Sequence, residues 1–470
     1  VGIAAALVLV MAWSANEALK PLPAPRRATV NFEPAPVNPA PEAPINLNAP
    51  GGLAANPAVP GGPAAPATNV VGVEPIAPAP MPMPAPMPEA AEAANAKDVP
   101  KAVPDVGGNL VEQSEGLLLR FKDDTKTWER LAVESQLSAG DRLVALPPSR
   151  HVLAFGGERF EMFGGTELRL LPNQNNAPHL TLMEGSVVIH SSQPPRPLTI
   201  SLAGQPIKIQ PPPKQSLGIE RTAVHTRGAV NLPPASLRVH IPEGPCNLAL
   251  GTESRTFQGP KVVLVELPRT LTEVSDEPPG DWVVDTKLSP LEQQLAEQFT
   301  ALFQAGKPVL NGLYSALEAD PTELQDLALK SLARVGDVET VVRALDTPNA
   351  PRKRRVAVET LRELMARDPD SSRLVHEQLN DVFGEALGQS VEKMLVGYTD
   401  AEAREKEAVA LLIREGLTSE TLAIRELAID NLQALTKRDR LGYDPDEPKG
   451  EGLKVWQDFL RPAAGKAKTR

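Results

Sequence analysis

Six histidines are the first residues to weigh for chemistry: His151, His179, His190, His225, His240 and His376. No two share the i, i+4 spacing that sets a pair of imidazoles over a metal ion on one helix face. His190 and His240 fall on the polar sides of alternating runs, where a solvated imidazole is the ordinary outcome. The single Cys246 excludes intramolecular disulfides and multi-cysteine zinc sites. It follows Pro245 at the start of an apolar run and reads as a small buried side chain rather than a reactive thiol. There is no Gly-x-Ser-x-Gly elbow, no phosphate-cradling Gly-Lys-Ser/Thr loop and no dinucleotide fingerprint. Asp and Glu are numerous, but no pattern selects two of them for acid–base work on a wall polymer. The expectation is a non-enzyme, with no cofactor, no metal and no evident small-molecule ligand.

One charge cluster stands out, Arg352-Lys353-Arg354-Arg355. It opens an expected helix, where the positive end of the macrodipole makes cations mildly unfavourable. A cluster held against that cost could contact an anionic partner surface. The plainer alternative is a solvated first turn neutralised by Glu359 and Glu363.

Composition limits what must position these residues. The chain has 470 residues, 50 prolines and a formal net charge of −11. Residues 1–105 carry −3, 106–287 carry −2 and 288–470 carry −6, so no part has the basic balance of a general nucleic-acid binder. Twenty-two prolines lie between Pro21 and Pro104, in a stretch too poor in apolar bulk to offset its ordering entropy. Residues 21–105 are therefore expected to be a disordered Pro/Ala-rich tether, with local polyproline II as in Ala79-Pro-Met-Pro-Met-Pro-Ala-Pro-Met-Pro88. Ahead of it, residues 1–20 begin with an apolar run whose first ionised side chain is Glu17. Three readings stay open: a membrane anchor, the core of a cleaved export signal, or a buried helix. The first two put the bulk of the chain outside the cytoplasm, as a single-pass membrane protein or an exported one.

From Leu117 to Leu267 the apolar period is two. Phe160 and Met162 alternate with Arg159 and Glu161, and Leu237, Val239 and Ile241 alternate with Arg238 and His240. Gly156–Gly157 and Gly164–Gly165 could each supply a two-residue hairpin turn, folding 151–155, 158–163 and 166–171 into a meander. Glu184–Gly185 would turn 180–183 back along 186–191, and 253–259 would form a loop. Short strands without intervening helices predict an antiparallel β-sandwich or β-roll over 106–287.

The order of motifs here resembles a family. Leu137-Ser-Ala-Gly-Asp-Arg-Leu143 precedes Gly156-Gly-Glu-Arg-Phe-Glu-Met-Phe-Gly-Gly-Thr-Glu-Leu-Arg-Leu170. Leu182-Met-Glu-Gly-Ser-Val-Val-Ile189 and Pro197-Leu-Thr-Ile200 follow. Over about residues 116–210 this is similar to the extracytoplasmic β-domain of FecR-like proteins. The resemblance implies a β-fold and, in its signalling members, control of a sigma factor through a cytoplasmic segment. Here such a segment would have to precede Val1.

After Trp282 the period becomes 3.6. Leu327-Ala-Leu-Lys-Ser-Leu332, Val356-Ala-Val-Glu-Thr-Leu361 and Leu427-Ala-Ile-Asp-Asn-Leu432 repeat one phrase, in which a small alanine lets helices approach closely. Gly336, Pro348 and Pro369 read as helix stops, and Asp337 and Thr418 as N-caps. Residues 288–470 are expected to form an α-solenoid of HEAT-like helix pairs, closed by a cap containing Leu441-Gly-Tyr-Asp-Pro-Asp446, Trp456 and Phe459. The functional expectation is a membrane-tethered extracytoplasmic scaffold for protein partners, with a FecR-type transmembrane regulator as the alternative.

Overall fold

A computed structural model describes residues 109–460, apart from 175–176, 230–234, 268–269, 275–276, 400 and 403–405. The expected anchor (1–20) and tether (21–105) lie outside the described residues. Among those described, no helix is long and apolar enough to cross a membrane. The described chain is β-rich from Leu110 to Val274 and helical from Pro290.

Three long strands organise the β-region: β1 (Leu110–Lys122), β3 (Arg142–Phe155) and β6 (Ala177–His190). Each bends near its middle and serves two halves of one continuous sheet. β5 (Glu167–Gln174) pairs with the first halves of β3 and β6, while β4 (Glu158–Phe163) pairs with their second halves. From the first half the sheet runs through β7 (Leu198–Leu202), β8 (Gln205–Gln210), β11 (Pro245–Leu250) and β12 (Glu253–Gln258). β2 (Thr127–Arg130) pairs with β1 at the other edge. From the second half it runs through β9 (Ser216–Arg221), β10 (Ser236–Ile241), β13 (Lys261–Glu266) and β14 (Thr270–Val274).

Several expected turns are something else. Gly156–Gly157 does close the β3–β4 hairpin, with φ of +61° and +81° suited to a primed turn. Gly164–Gly165, however, joins no hairpin, because β4 and β5 belong to different halves. Gly164 N donates to Ser149 O at 2.7 Å and Gly165 N to Ala145 O at 2.8 Å, so the link crosses the bend of β3 at Pro147–Pro148. Glu184–Gly185 is a bend inside β6 rather than a turn. A Cβ on Gly185 (φ +93°) would stand 2.4 Å from Thr166 Cα, so only glycine lets the two chains cross there. The expected loop at 253–259 is largely strand β12, and β6 pairs with β7 in parallel, which departs from a purely antiparallel sheet. The 236–267 stretch continues the same sheet.

Alternation explains the core. Leu118, Leu143, Ala145, Leu153, Phe160, Ile189, Ile219 and Val239 point to one interior shared by strands from both halves. Their neighbours Leu117, Leu119, Val144 and Leu146 point the other way and are buried against helices. Burial on both faces is why Leu117–Leu119 and Leu143–Leu146 read as unbroken apolar runs.

Ten helices follow among the described residues: α1 (Pro290–Ala301), α2 (Val309–Leu317), α3 (Thr322–Val335), α4 (Val338–Ala344), α5 (Pro351–Arg367), α6 (Pro369–Phe383), α7 (Glu385–Val396), α8 (Lys406–Leu411), α9 (Leu422–Thr436) and α10 (Glu451–Phe459). Ala328, Ala357 and Ala428, the alanines of the repeated phrase, lie on α3, α5 and α9 and are fully buried. α3 packs on α5, and α5 contacts α9. Asp337 caps α4 by accepting from Thr340 N at 3.2 Å. Thr418 is not a cap; its hydroxyl donates back to Arg414 O at the end of the π-turn that continues α8, and α9 starts after Thr421. The expected closing segment buries Tyr443 and Trp456, whereas Phe459 stays 41% exposed.

Candidate functional site

The basic run begins on the first turn of α5, because Pro351 at N1 suits a helix start. Helical spacing then sends its four side chains in different directions. Arg352 lies on the surface between Glu323 and Asp326 of α3, at 3.1 and 2.7 Å. Lys353 is half-buried and Arg355 exposed, and neither has an ion-pair partner among the described residues. Arg354 is fully buried. Its Nε donates to Glu426 Oε2 at 2.8 Å, its Nη2 to Asp446 Oδ2 at 2.8 Å and its Nη1 to Thr347 O at 2.9 Å. Burial works against its charge, but the two carboxylates hold its pKa above the usual value. The neutralising acids come from α3, α9 and the closing segment rather than from Glu359 and Glu363. The run is therefore not one anion-binding patch.

Arg355 instead borders a groove of about 510 Å³ between α5 and α9. Its floor is ion-paired: Arg362 with Asp430 at 2.8 Å, and Glu426 with Arg354 and Arg440. Its rim carries the exposed Arg355, Glu359 and Asp439, two acids and one base without ion-pair partners among the described residues. Such a rim suits a mixed-charge protein surface.

A second charged cluster joins sheet to helices, and nothing in the sequence spacing announced it. Glu167, fully buried on β5, accepts from Arg142 Nε at 2.7 Å and from Arg367 Nη1 at 3.1 Å. Glu184, at the β6 bend, takes Arg334 of α3 through two bonds of 3.0 and 3.2 Å. Trp128 Nε1 donates to Val335 O at 2.9 Å. Residues after β9 add His225, bonded to Val396 O, and Arg227, bonded to Asp430 and Asn431.

The histidines divide. His151 is fully buried beside Ser114 Oγ, and burial lowers its pKa to about 3. His240, expected to be solvated, is 3% exposed because Trp282 packs over it with ring centroids 5.2 Å apart. His190 does keep solvent contact, but lies between Glu161 (Nε2 to Oε2, 2.8 Å) and Ser216 (Nδ1 to Oγ, 3.0 Å). With the imidazole neutral, an Nε2–H that donates to Glu161 leaves Nδ1 to accept from the Ser216 hydroxyl. Burial alone would raise the Glu161 carboxyl; hydrogen bonds from His190 and Thr286 and the charge of Arg150 hold it below the usual range. These groups meet because β4, β6 and β9 are neighbours, with His190 directly opposite Ser216. Ser216 lines neither the α5–α9 groove nor the cleft where β6 and β9 meet α5 and α6. A hydroxyl–imidazole pair needs a concave site with oxyanion donors to act as a nucleophile.

Cys246 is buried, which pushes its thiol up to about 12. Among the described residues no group of three or more His, Cys, Asp or Glu is placed to hold a metal ion.

No family model matches the sequence. No curated protein matches it either. Two crystal structures, at 1.65 and 2.50 Å, of a protein described as a candidate anti-sigma factor from Parabacteroides distasonis ATCC 8503 are similar to part of it. Each is 9% identical, with a TM-score of 0.23, over 34% of this chain and 73% of that chain. A likeness that slight assigns neither a family nor an activity.

Proposed function

We propose that the protein is a non-catalytic, extracytoplasmic protein-binding module, tethered at a membrane, with a FecR-like β-part and HEAT-like helices. The observation that carries this reading is the α5–α9 groove: a paired ionic floor beneath a rim whose Arg355, Glu359 and Asp439 have no intramolecular ion partner among the described residues. Charged rim groups of this kind steer a partner and fix its register more than they add affinity. The test is crosslinking capture from the native envelope with the wild-type chain and with an Arg355→Glu, Glu359→Lys double variant. A partner retained by the wild type and lost by the variant supports the reading; identical capture by both removes the groove from it.

A second reading, a FecR-type regulator of sigma-factor activity, is supported by where the resembling motifs fall. Gly140 and Asp141 form the turn into β3, Gly156–Gly157 the hairpin, and Gly185 the bend of β6. They thus sit at positions the sheet depends on, as inherited motifs would. Deleting the gene and measuring transcripts of sigma-dependent operons tests it; unchanged transcripts under inducing conditions would end it.

A further inference from the structure

The cleft between sheet and helices contains a cation that the surrounding acids leave unmatched. It encloses about 470 Å³, a usual size for a ligand site, where the β7–β8 turn and the end of β9 face the α5–α6 junction. Met183, Ala203, Ala223, Val224 and Ala366 give it an apolar wall. Arg221 stands in that wall. Its Nη1 donates to Leu182 O at 2.9 Å, and among the described residues no carboxylate lies at ion-pair distance. Burial pulls its pKa below the usual arginine value, against the nearby charges of Asp368, Glu184 and Glu167.

Those three acids are already committed. Asp368 caps α6 and pairs with Arg367, Glu184 pairs with Arg334, and Glu167 pairs with Arg142 and Arg367. Four guanidinium groups thus face three carboxylates. The further acid nearby, Glu363, faces Lys330 and Arg334. A partly desolvated cation in this state gains most from an incoming anion. Directly after it, Thr222, Ala223 and Val224 make no backbone hydrogen bond among the described residues, and Val224 is 63% exposed. Free main-chain groups next to a guanidinium without a carboxylate partner among the described residues suit a ligand with its own main chain and a terminal anion.

We propose that this cleft captures the carboxyl terminus of a peptide, with Arg221 binding the terminal carboxylate, Thr222–Val224 pairing with its main chain and the apolar wall taking its last side chain. The site is separate from the α5–α9 groove, so either can fail without the other. The test uses the full chain and fluorescein-labelled octapeptides ending in valine, leucine or phenylalanine, each as the free acid and as the amide. Free acids are expected to bind at least about tenfold more tightly than amides, since a buried charged partner left unpaired costs about 1.4 kcal/mol or more. Arg221→Gln should remove that preference. Val224→Glu, at an exposed position that folding tolerates, should weaken the acids by repulsion and leave the melting temperature unchanged. Equal binding of acid and amide, no binding by any free acid, or displacement of the peptide by octanoate at equal concentration would each overturn the proposal.

Discussion

Arg354 Nη2 lies 2.8 Å from Asp446 Oδ2, joining residues 92 positions apart. Asp446 also accepts from Asn349 N at 2.9 Å, so the closing segment is tied to the first turn of α5 by a charge that never reaches solvent. A basic run that resembles a contact patch thereby serves partly as an internal tie. Removing one partner of such a pair strands the other.

Arg354→Met should accordingly destabilise the fold by about 3 kcal/mol, because the half-buried Asp446 would lose its cation and the buried Glu426 would keep only Arg440. Arg355→Met, one position along on the surface, should change stability by less than about 0.5 kcal/mol. Urea denaturation followed by circular dichroism separates the two.

Gly185→Ala should cost about 3 kcal/mol, combining a strained positive φ with a methyl group driven into Thr166. Gly204→Ala is the control: its φ is also positive, +79°, but nothing lies within 4 Å of the added Cβ. The difference between their thermal midpoints reports the crossing of β6 with the β4–β5 link.

His151 makes stability depend on pH. In the fold it stays neutral down to about 3, whereas the unfolded chain takes up a proton near 6.5. The unfolded state binds more protons between these values, so this contribution is fully present above 6.5 and lost as pH falls towards 3. Urea midpoints measured from pH 7 to pH 4 should fall less steeply for His151→Gln than for the wild type.

Glu184 and Arg334 should be energetically coupled across the junction of sheet and helices. A double-mutant cycle with Glu184→Gln and Arg334→Met should give an interaction energy of about 1–3 kcal/mol. A value near zero would mean that this pair adds nothing to the apolar contacts of Leu117, Leu119, Val144 and Leu146 and the Glu167–Arg367 tie.

Cys246 should resist iodoacetamide in the native protein at pH 8, with its thiol at about 12 and its side chain buried. It should react stoichiometrically in 6 M guanidinium. Intact-mass spectrometry distinguishes the two states.

Neighbouring residues were enough to place the change from β to helix between Leu267 and Pro290, strand segments within 151–171 and 180–191, the buried alanines of α3, α5 and α9, and the burial of Cys246. These follow from local periodicity, since alternation and 3.6-residue spacing are properties of neighbouring side chains. The groove was only partly legible, through Arg355 and its helix. Long-range packing was needed to show that Gly164–Gly165 crosses the sheet and that Gly185 bends one strand, because a positive φ serves a turn and a bend equally well. It also set the burial of Arg354, the facing of Glu167 and Glu184 to arginines, and the lack of a carboxylate partner for Arg221 among the described residues. An ion pair is a matter of distance, and distances between residues 92 or 150 positions apart exist only once strand register and helix packing are fixed.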